Sequence, residues 1–388
     1  QSNFRRKEKH CPAFRLPRKR RKINPRPRST TSDSIFTMNV VQIVKNYGPI
    51  GGMEEYVFRL CMELAAKGTE VTVLCQANHV KAPGNVEVVE LGIHRKPHWV
   101  SHFRFSSKVN NWLRNHPSKK RIVHSHERQN SHQLTTFHTT PFGTGKRRKF
   151  LHWLSPRHQL FEYLERRELA GQKVQAVVPV STQLGEAIHR KYPAIDIPIK
   201  NPIYPGVSME PADPDNRKPP PKDGGTIGFM GREWKRKGLS RVIKIWKYLK
   251  CTRPKLKLKI AGVHSVELSG THLLGEKGLQ VLGWTEDKEQ FYKEIDLLIH
   301  PAKREAFGMV IAEALTACVP VLCSTECGAS EIVSSDQGRC IPVDASTEIW
   351  RSAASEILDK SPCKSSYNRS WSIVANEYQE LYAEISKC

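Results

Sequence analysis

The sequence predicts an α/β fold of two Rossmann-like domains, and three observations support that expectation. Runs of Val and Ile short enough for buried strands alternate with amphipathic helical stretches twice over, once from residue 39 and again from residue 226. A glycine-bearing loop follows the first strand of each half, over residues 46–52 and 231–238. Between the halves, Ile203-Tyr204-Pro205-Gly206-Val207 and the tract 211–225 concentrate Pro and Gly and lose all periodicity, as a linker does. At 388 residues, 38% hydrophobic and 26% charged, the chain is long enough to bury two cores.

Residues 1–37 hold 12 basic against 2 acidic side chains with little to bury, and predict a disordered basic extension. The folded pattern opens at Met38, which points to a start there with sequence added upstream. The first domain is expected over 38–205. It begins with a strand at 39–45, the loop containing Gly51 and Gly52, and a helix at 53–67. That helix keeps Met53, Val57, Leu60, Cys61 and Leu64 on one face and ends at Gly68 before a strand at 71–75. Further strands are predicted at 86–91, 121–126, 134–137 and 174–180. Helices are predicted at 103–116, 160–169 and 182–191, the last capped by Ser181. In a parallel sheet the carboxyl ends of strands face the ligand crevice. His126 and His138 each finish a strand and are therefore candidates for contacts to sugar hydroxyls or for proton handling. Residues 144–173 are basic and amphipathic. Lys146, Arg147, Arg148 and Lys149 precede Phe150, Leu151, Trp153 and Leu154, a pattern that suits either an anionic bilayer surface or a solvated helix face.

The second domain, 206–370, opens with a strand at 226–230. The basic loop 231–238 then precedes a helix at 239–249, where side-chain cations join oriented amides in a setting suited to a pyrophosphate. Strands at 256–261, turning at Gly262, and at 279–282, turning at Gly283 and Trp284, follow, and both edges, the second at Leu282 and Gly283, are placed to frame a nucleobase. The apolar run 295–301 reads as a buried strand closed by Pro301, after which Glu305 stands in the turn before a helix that continues through Cys318. First-turn amides around Phe307, Gly308 and Met309 lack intrahelical partners and, with the positive end of the helix dipole, suit a phosphate. Glu305 and Glu313 lie eight residues apart, roughly 12 Å at most along a helix. They are placed to hold hydroxyl-bearing groups on either side of that phosphate, which describes a nucleotide sugar. Strands at 319–323 and 340–343, a helix at 347–358 and a final helix at 371–388 complete the pattern.

The formal charge is +24 and sits unevenly: 24 basic against 13 acidic residues over 38–210, but 26 against 23 over 211–388. A basic first half implies an acidic partner, an anionic membrane surface, a phosphorylated glycan or nucleic acid, unless the lysines serve solubility. The 10 cysteines are scattered with no Cys-x2-Cys pair, which fits reduced thiols and a cytoplasmic setting. No metal is expected, because neither an Asp-x-Asp pair nor ligand-spaced histidines stand in the cleft segments. No run of 18 apolar residues or apolar leader is present, so any membrane contact is expected to be peripheral.

The segment from Arg304 to Leu315, with its Phe-Gly pair after the first Glu and Glu-Ala-Leu at the second, resembles the Glu-x7-Glu motif of family 4 retaining glycosyltransferases. The loop at Gly51-Gly52-Met53-Glu54, the Phe137-His138-Thr139 segment and the turn after the motif helix resemble the same family. The Tyr-x-Pro-x-Gly-Gly loop is similar to that of bacterial glucosyltransferases that build the lipopolysaccharide core. The resemblance implies the GT-B architecture, with the domains facing across a cleft and the last helix crossing back to the first domain. It implies a UDP-type donor bound by the second domain and contacted by Gly51 and Gly52, with Glu305 on the donor sugar, the Phe307-Gly308 amides on phosphate and Glu313 on ribose. Arg232 and Lys237 match the family's cations that neutralise the departing diphosphate, with Arg236 placed to share or replace the Arg232 role because the loop is one residue shorter than in many members. His138 matches the active-site histidine, while His126 and Glu54 are candidates on the acceptor side. It further implies hexose transfer to a glycan or glycolipid, such as a phosphorylated lipopolysaccharide core. Two other readings stay open: a nucleotide-sugar 2-epimerase on the same architecture, and a basic nucleic-acid or polyanion binder. The glycosyltransferase reading expects no nucleic-acid partner and no metal cofactor.

Overall fold

The computed structural model describes residues 38–81, 84–93, 98–118, 120–143, 155–268, 275–285, 287–360, 363 and 366–387. The expected extension over 1–37 and the basic, aromatic stretch 146–154 lie outside the described residues.

The first sheet has six strands: β1 (Asn39–Ile43), β2 (Glu70–Cys75), β3 (Val86–Glu90), β4 (Arg121–Ser125), β5 (Leu134–Phe137) and β6 (Ala176–Pro179). All their pairings are parallel, in the order β3-β2-β1-β4-β5-β6. Helices α1 (Gly52–Ala66), α2 (His98–Asn115), α3 (Pro156–Leu169) and α4 (Thr182–Lys191) belong to this half. The second sheet repeats the arrangement with β7 (Thr226–Met230), β8 (Lys257–Ala261), β9 (Leu279–Gly283), β10 (Leu297–His300), β11 (Val321–Ser324) and β12 (Gly338–Ile341). Its order, β9-β8-β7-β10-β11-β12, is the same doubly wound one, and it too is parallel throughout. Its main helices are α5 (Leu239–Leu249), α6 (Lys288–Lys293), α7 (Met309–Thr316) and α8 (Thr347–Asp359). The central strands are Val- and Ile-rich and buried on both faces, as a sheet covered by helices requires.

Several boundaries differ from the sequence expectation for identifiable reasons. Helix α3 begins at Pro156, where a missing N–H costs nothing at the first helical position, and α2 begins five residues earlier than its apolar pattern suggested. The loop 231–238 contains one helical turn, Trp234–Lys237. Helix α7 stops at Thr316 because Cys318 turns to a positive φ of 54° ahead of β11.

The last helix, α9 (Trp371–Ile385), crosses back onto the first half. Its buried stripe of Trp371, Val374, Ala375, Tyr378, Leu381, Tyr382 and Ile385 repeats at helical spacing, and it lies against α1, where the hydroxyls of Tyr56 and Tyr378 are 2.9 Å apart. One apolar core is continuous from Val40 and Val178 through Phe307 and Ile311 to Trp371. The halves also meet at the start of α4. Ser181 accepts from the Leu184 amide and donates to the Ala306 carbonyl at 2.8 Å. The Glu331 carboxylate accepts from the amides of Thr182 (3.0 Å) and Gln183 (2.7 Å) and from the Tyr204 hydroxyl (2.9 Å). An anion from one domain thereby caps a helix of the other.

Candidate active site

Glu305 follows β10 and pairs, strand-like, with Cys327. Its carboxylate accepts from Arg236 Nη1 at 2.9 Å, and Lys237 Nζ lies 3.6 Å from its other oxygen. Burial opposes ionisation of Glu305, but Lys237, His300 and Arg236 around it hold its carboxyl below the usual range. Lys237 reaches this position by laying its stem over Gly231, where a Cβ would fall 2.4 Å from the lysine Cδ. Gly308 caps α7 at φ 106°, in the left-handed region, and a Cβ there would stand 3.4 Å from Glu305 Cγ, which places the start of α7 beside Glu305. Phe307 is buried against Tyr204 with ring centroids 5.9 Å apart. The carboxylate and both cations therefore stand where a parallel sheet presents its ligand crevice.

Glu313, on α7, is buried. One oxygen accepts from Lys288 Nζ at 2.7 Å and the other from the Tyr292 hydroxyl at 2.8 Å. Lys288 also reaches Glu55 on α1 at 3.1 Å, which ties the two halves across the cleft. Leu282 and Gly283 end β9 beside Trp284, and both Leu282 and Trp284 are exposed. Arg232 has its guanidinium 5.7 Å from the Trp284 ring centroid and 3.5 Å from the Ile50 carbonyl in the glycine loop of the first half. The structure thus gives the Glu305 contact to Arg236 together with Lys237, and sets Arg232 at the rim facing Ile50.

On the first half, Gly51 and Gly52 start α1, and Glu54 folds back over Gly51, where a Cβ would stand 2.5 Å from its carboxylate. Burial raises the Glu54 carboxyl above the ordinary range. His138, half-buried after β5, has its Nε2 2.9 Å from Nδ1 of His126. The other nitrogen of His126 lies 2.9 Å from Gln42 Oε1. Burial pushes the His138 imidazole down to about 3 and that of His126 well below its ordinary value, so both are neutral at pH 7. The expectation that His126 meets a ligand is corrected: it is buried with both nitrogens engaged, and it stands behind His138.

The sequence reading missed Lys288, Tyr292, Glu55 and the polar side chains behind His138, because their partners are distant in the chain. It also missed His300, the last residue of β10. Neither of its ring nitrogens finds a partner among the described residues, and burial pushes it down to about 3. Among the described residues no group of three His, Cys, Asp or Glu is arranged to hold a metal ion, and no helix is long and apolar enough to cross a membrane. A cavity of about 970 Å³ lies elsewhere, between the end of α2 and the loops before β5 and β6, and contains none of the candidate residues.

Comparison with known proteins matches both halves. The family described as Glycosyltransferase Family 4 covers residues 50–210, and Glycosyl transferases group 1 covers 213–370. The chain is similar to the lipopolysaccharide glucosyltransferase WaaG of Escherichia coli (strain K12), at 23% identity over 363 residues, 89% of this chain and 96% of that protein. The crystal structure of WaaG superposes with a TM-score of 0.71 at 20% identity, covering 90% of this chain and 98% of the other. Sucrose-phosphate synthase from Thermosynechococcus elongatus gives 0.70 at 17% identity, with 90% and 99% coverage. Anabaena HepE in complex with UDP-glucose gives 0.61 at 17% identity, with 89% and 100% coverage. These likenesses show the GT-B fold of two Rossmann-like domains.

Proposed function

The chain belongs to the group 1 and family 4 glycosyltransferases, and from that premise we propose that it moves a hexose from a UDP-type nucleotide sugar to a glycan acceptor with retention of anomeric configuration. The observation that supports this most is the gathering of Glu305, Arg236, Lys237 and the start of α7 at the end of the second sheet. A diphosphate arriving there meets two cations and the first-turn amides of α7, fixed before the reaction. Such preorganised charge is worth several kcal/mol when a leaving group develops negative charge. In this reading Glu305 meets the donor sugar and Glu313 meets the ribose, whose hydroxyls take over the bonds now made by Lys288 and Tyr292. Leu282 and Gly283 border the base. Arg232 adds positive charge from the rim, and the backbone at Gly51 and Gly52 closes on the donor from the opposite side. His138 contacts a substrate hydroxyl, and Glu54 lies toward the acceptor. The cations do the work of a metal ion, and the departing phosphate accepts the acceptor's proton on the same face.

The acceptor side follows from charge. The half that holds the donor is almost neutral while the other is strongly basic, so the excess serves an anionic acceptor, a phosphorylated glycolipid such as lipopolysaccharide core at a membrane surface, bound peripherally. For the acceptor, one relative points the same way, since WaaG is a lipopolysaccharide glucosyltransferase; for the donor, HepE was solved with UDP-glucose.

The test is ligand-detected binding over a panel of nucleotide sugars, followed by transfer from the tightest binder to core oligosaccharides with and without phosphate. Transfer with retained configuration, faster to the phosphorylated acceptor, is expected. Release of an epimerised UDP-sugar without any acceptor would replace this reading.

A further inference from the structure

Behind His138 runs a sequence of hydrogen bonds that ends on the last helix. Gln42, in the central strand β1, is buried. Its Nε2 donates to the Tyr382 hydroxyl at 2.9 Å and its Oε1 lies 2.9 Å from His126 Nε2. The Tyr382 oxygen is also 2.7 Å from Nδ1 of His124, whose Nε2 is 2.8 Å from the Thr136 hydroxyl. Thr136 in turn is 2.6 Å from the Tyr378 hydroxyl. His124, Gln42 and Tyr382 have no exposed surface, so bulk solvent does not compete for these bonds.

The amide orientation dictates where each proton sits. A carbonyl oxygen only accepts, so His126 Nε2 must carry the hydrogen that it gives to Gln42. In a neutral ring the other nitrogen then holds a lone pair, and His126 Nδ1 accepts from His138 Nε2–H. His138 is left with an unprotonated Nδ1. Tyr382, accepting from Gln42, gives its own proton to His124 Nδ1, and His124 Nε2–H donates to Thr136, so every donor in this orientation has an acceptor. A rotation of Gln42 by half a turn would reverse every one of these assignments and leave His138 with Nδ1–H, a donor where it had been an acceptor.

We propose that Tyr382, acting through Gln42 and His126, is a positioning residue that holds His138 in its Nε2–H tautomer, so that His138 Nδ1 accepts a hydrogen bond from a substrate hydroxyl. The helix that ends the chain thereby sets the chemical face of a residue some 240 positions earlier in the sequence. This rests on the reading of His138 as a residue that meets substrate.

The experiment uses full-length protein carrying ¹⁵N-histidine. Long-range ¹H–¹⁵N spectra report which nitrogen of each ring bears hydrogen, and loss of a signal in His138→Ala identifies that of His138. The expected result is Nε2–H in the wild type and a mixture in Tyr382→Phe. Transfer in that variant falls about tenfold, the size of one neutral hydrogen bond, while UDP affinity is unchanged. Gln42→Met breaks the same link without touching the helix, and is expected to give the same two changes should Tyr382→Phe fold poorly. A tyrosine acting only through His138 adds no further loss in the His138→Ala background. The relay is overturned by Nδ1–H in the wild type, by a tautomer unmoved in both variants, or by additive losses in the double variant. If His138→Ala itself transfers at the normal rate, the assignment of His138 to the site fails first, and the relay with it.

Discussion

The two sheets share one strand order, yet their carboxyl ends differ in chemistry. The second ends in charge: Glu305 between Arg236 and Lys237, and Glu313 under Lys288. The first has one ion pair there, Lys45 with Glu127 at 3.1 Å just past β1 and β4, but beside it stand neutral rings, His124, His126 and His138, kept unprotonated by burial and joined to Gln42 and tyrosines. The fold supplies the same platform twice, and the few residues just past each strand decide what it handles. An ionic platform suits the group whose charge changes most during transfer, and a neutral one suits hydroxyls that must be oriented.

The strongest way to break this contrast is to remove charge from the second platform. Lys237→Ala is expected to lower the transfer rate by about 10²–10³, read in single-turnover assays with saturating donor. A rate within threefold of wild type would take charge stabilisation away from this sheet. Next in size, Glu313→Ala should weaken UDP binding by about 1.5–3 kcal/mol, as loss of bonds to a charged group does. Calorimetry measures it, and an unchanged affinity removes Glu313 from the ribose.

The neutral platform is probed with acid. An unfolded histidine takes a proton near 6.5, whereas folded His132 does so at about 4 and His138 and His300 at about 3, with His124 and His126 also held well below the ordinary value. The stability these groups contribute is therefore complete above about pH 6.5 and drains as pH falls toward those lower values. The maximum rate is about 1.4 kcal/mol per pH unit for each ring. Glu168, which burial pushes up from 4.5 to about 8, has the opposite sign: its contribution is present below 4.5 and lost as pH rises toward 8. Four of the five histidines lie in the first half. Hydrogen exchange between pH 6.5 and 5 should therefore show β4 and β5 losing protection before β7 and β10, and simultaneous loss would erase the distinction. Smallest of all is the effect of EDTA, expected to be nil on transfer. Activity abolished by chelator and restored by manganese or magnesium would put a metal where the cations are assigned.

What the sequence disclosed follows the range of the interactions involved. The sheets were legible because β-branched runs, helical stripes and a Pro/Gly break are local signals. That Glu305, Gly308 and Glu313 gather around one helix start was legible because they share one short segment. Lys288 was not, since its partners lie 25 residues away on α7 and 233 away on α1. Gln42 meets a ring 84 residues distant and a hydroxyl 340 distant, and inside a strand it reads only as a polar interruption. His126 was misjudged because ending a strand places a residue near the crevice without saying whether another ring covers it. Arg236 and Arg232 exchanged emphasis once the helical turn at Trp234 redirected the loop.

The carboxylate of Glu331 on the first turn of α4 has a mechanical consequence. Gln183 adds bonds to the Thr325 carbonyl and the Ser330 hydroxyl, and Gly328 packs against Ser181 with no space for even a methyl group. At the glycine loop, by contrast, the halves meet through one long bond from Arg232 to Ile50 and the single Lys288–Glu55 ion pair. A joint with more bonds at one end than at the other is expected to yield, if it yields, by pivoting about the end around Glu331. Strain from a bulky acceptor would therefore be felt first at the tip that carries Arg232, and last at the axle around Glu331.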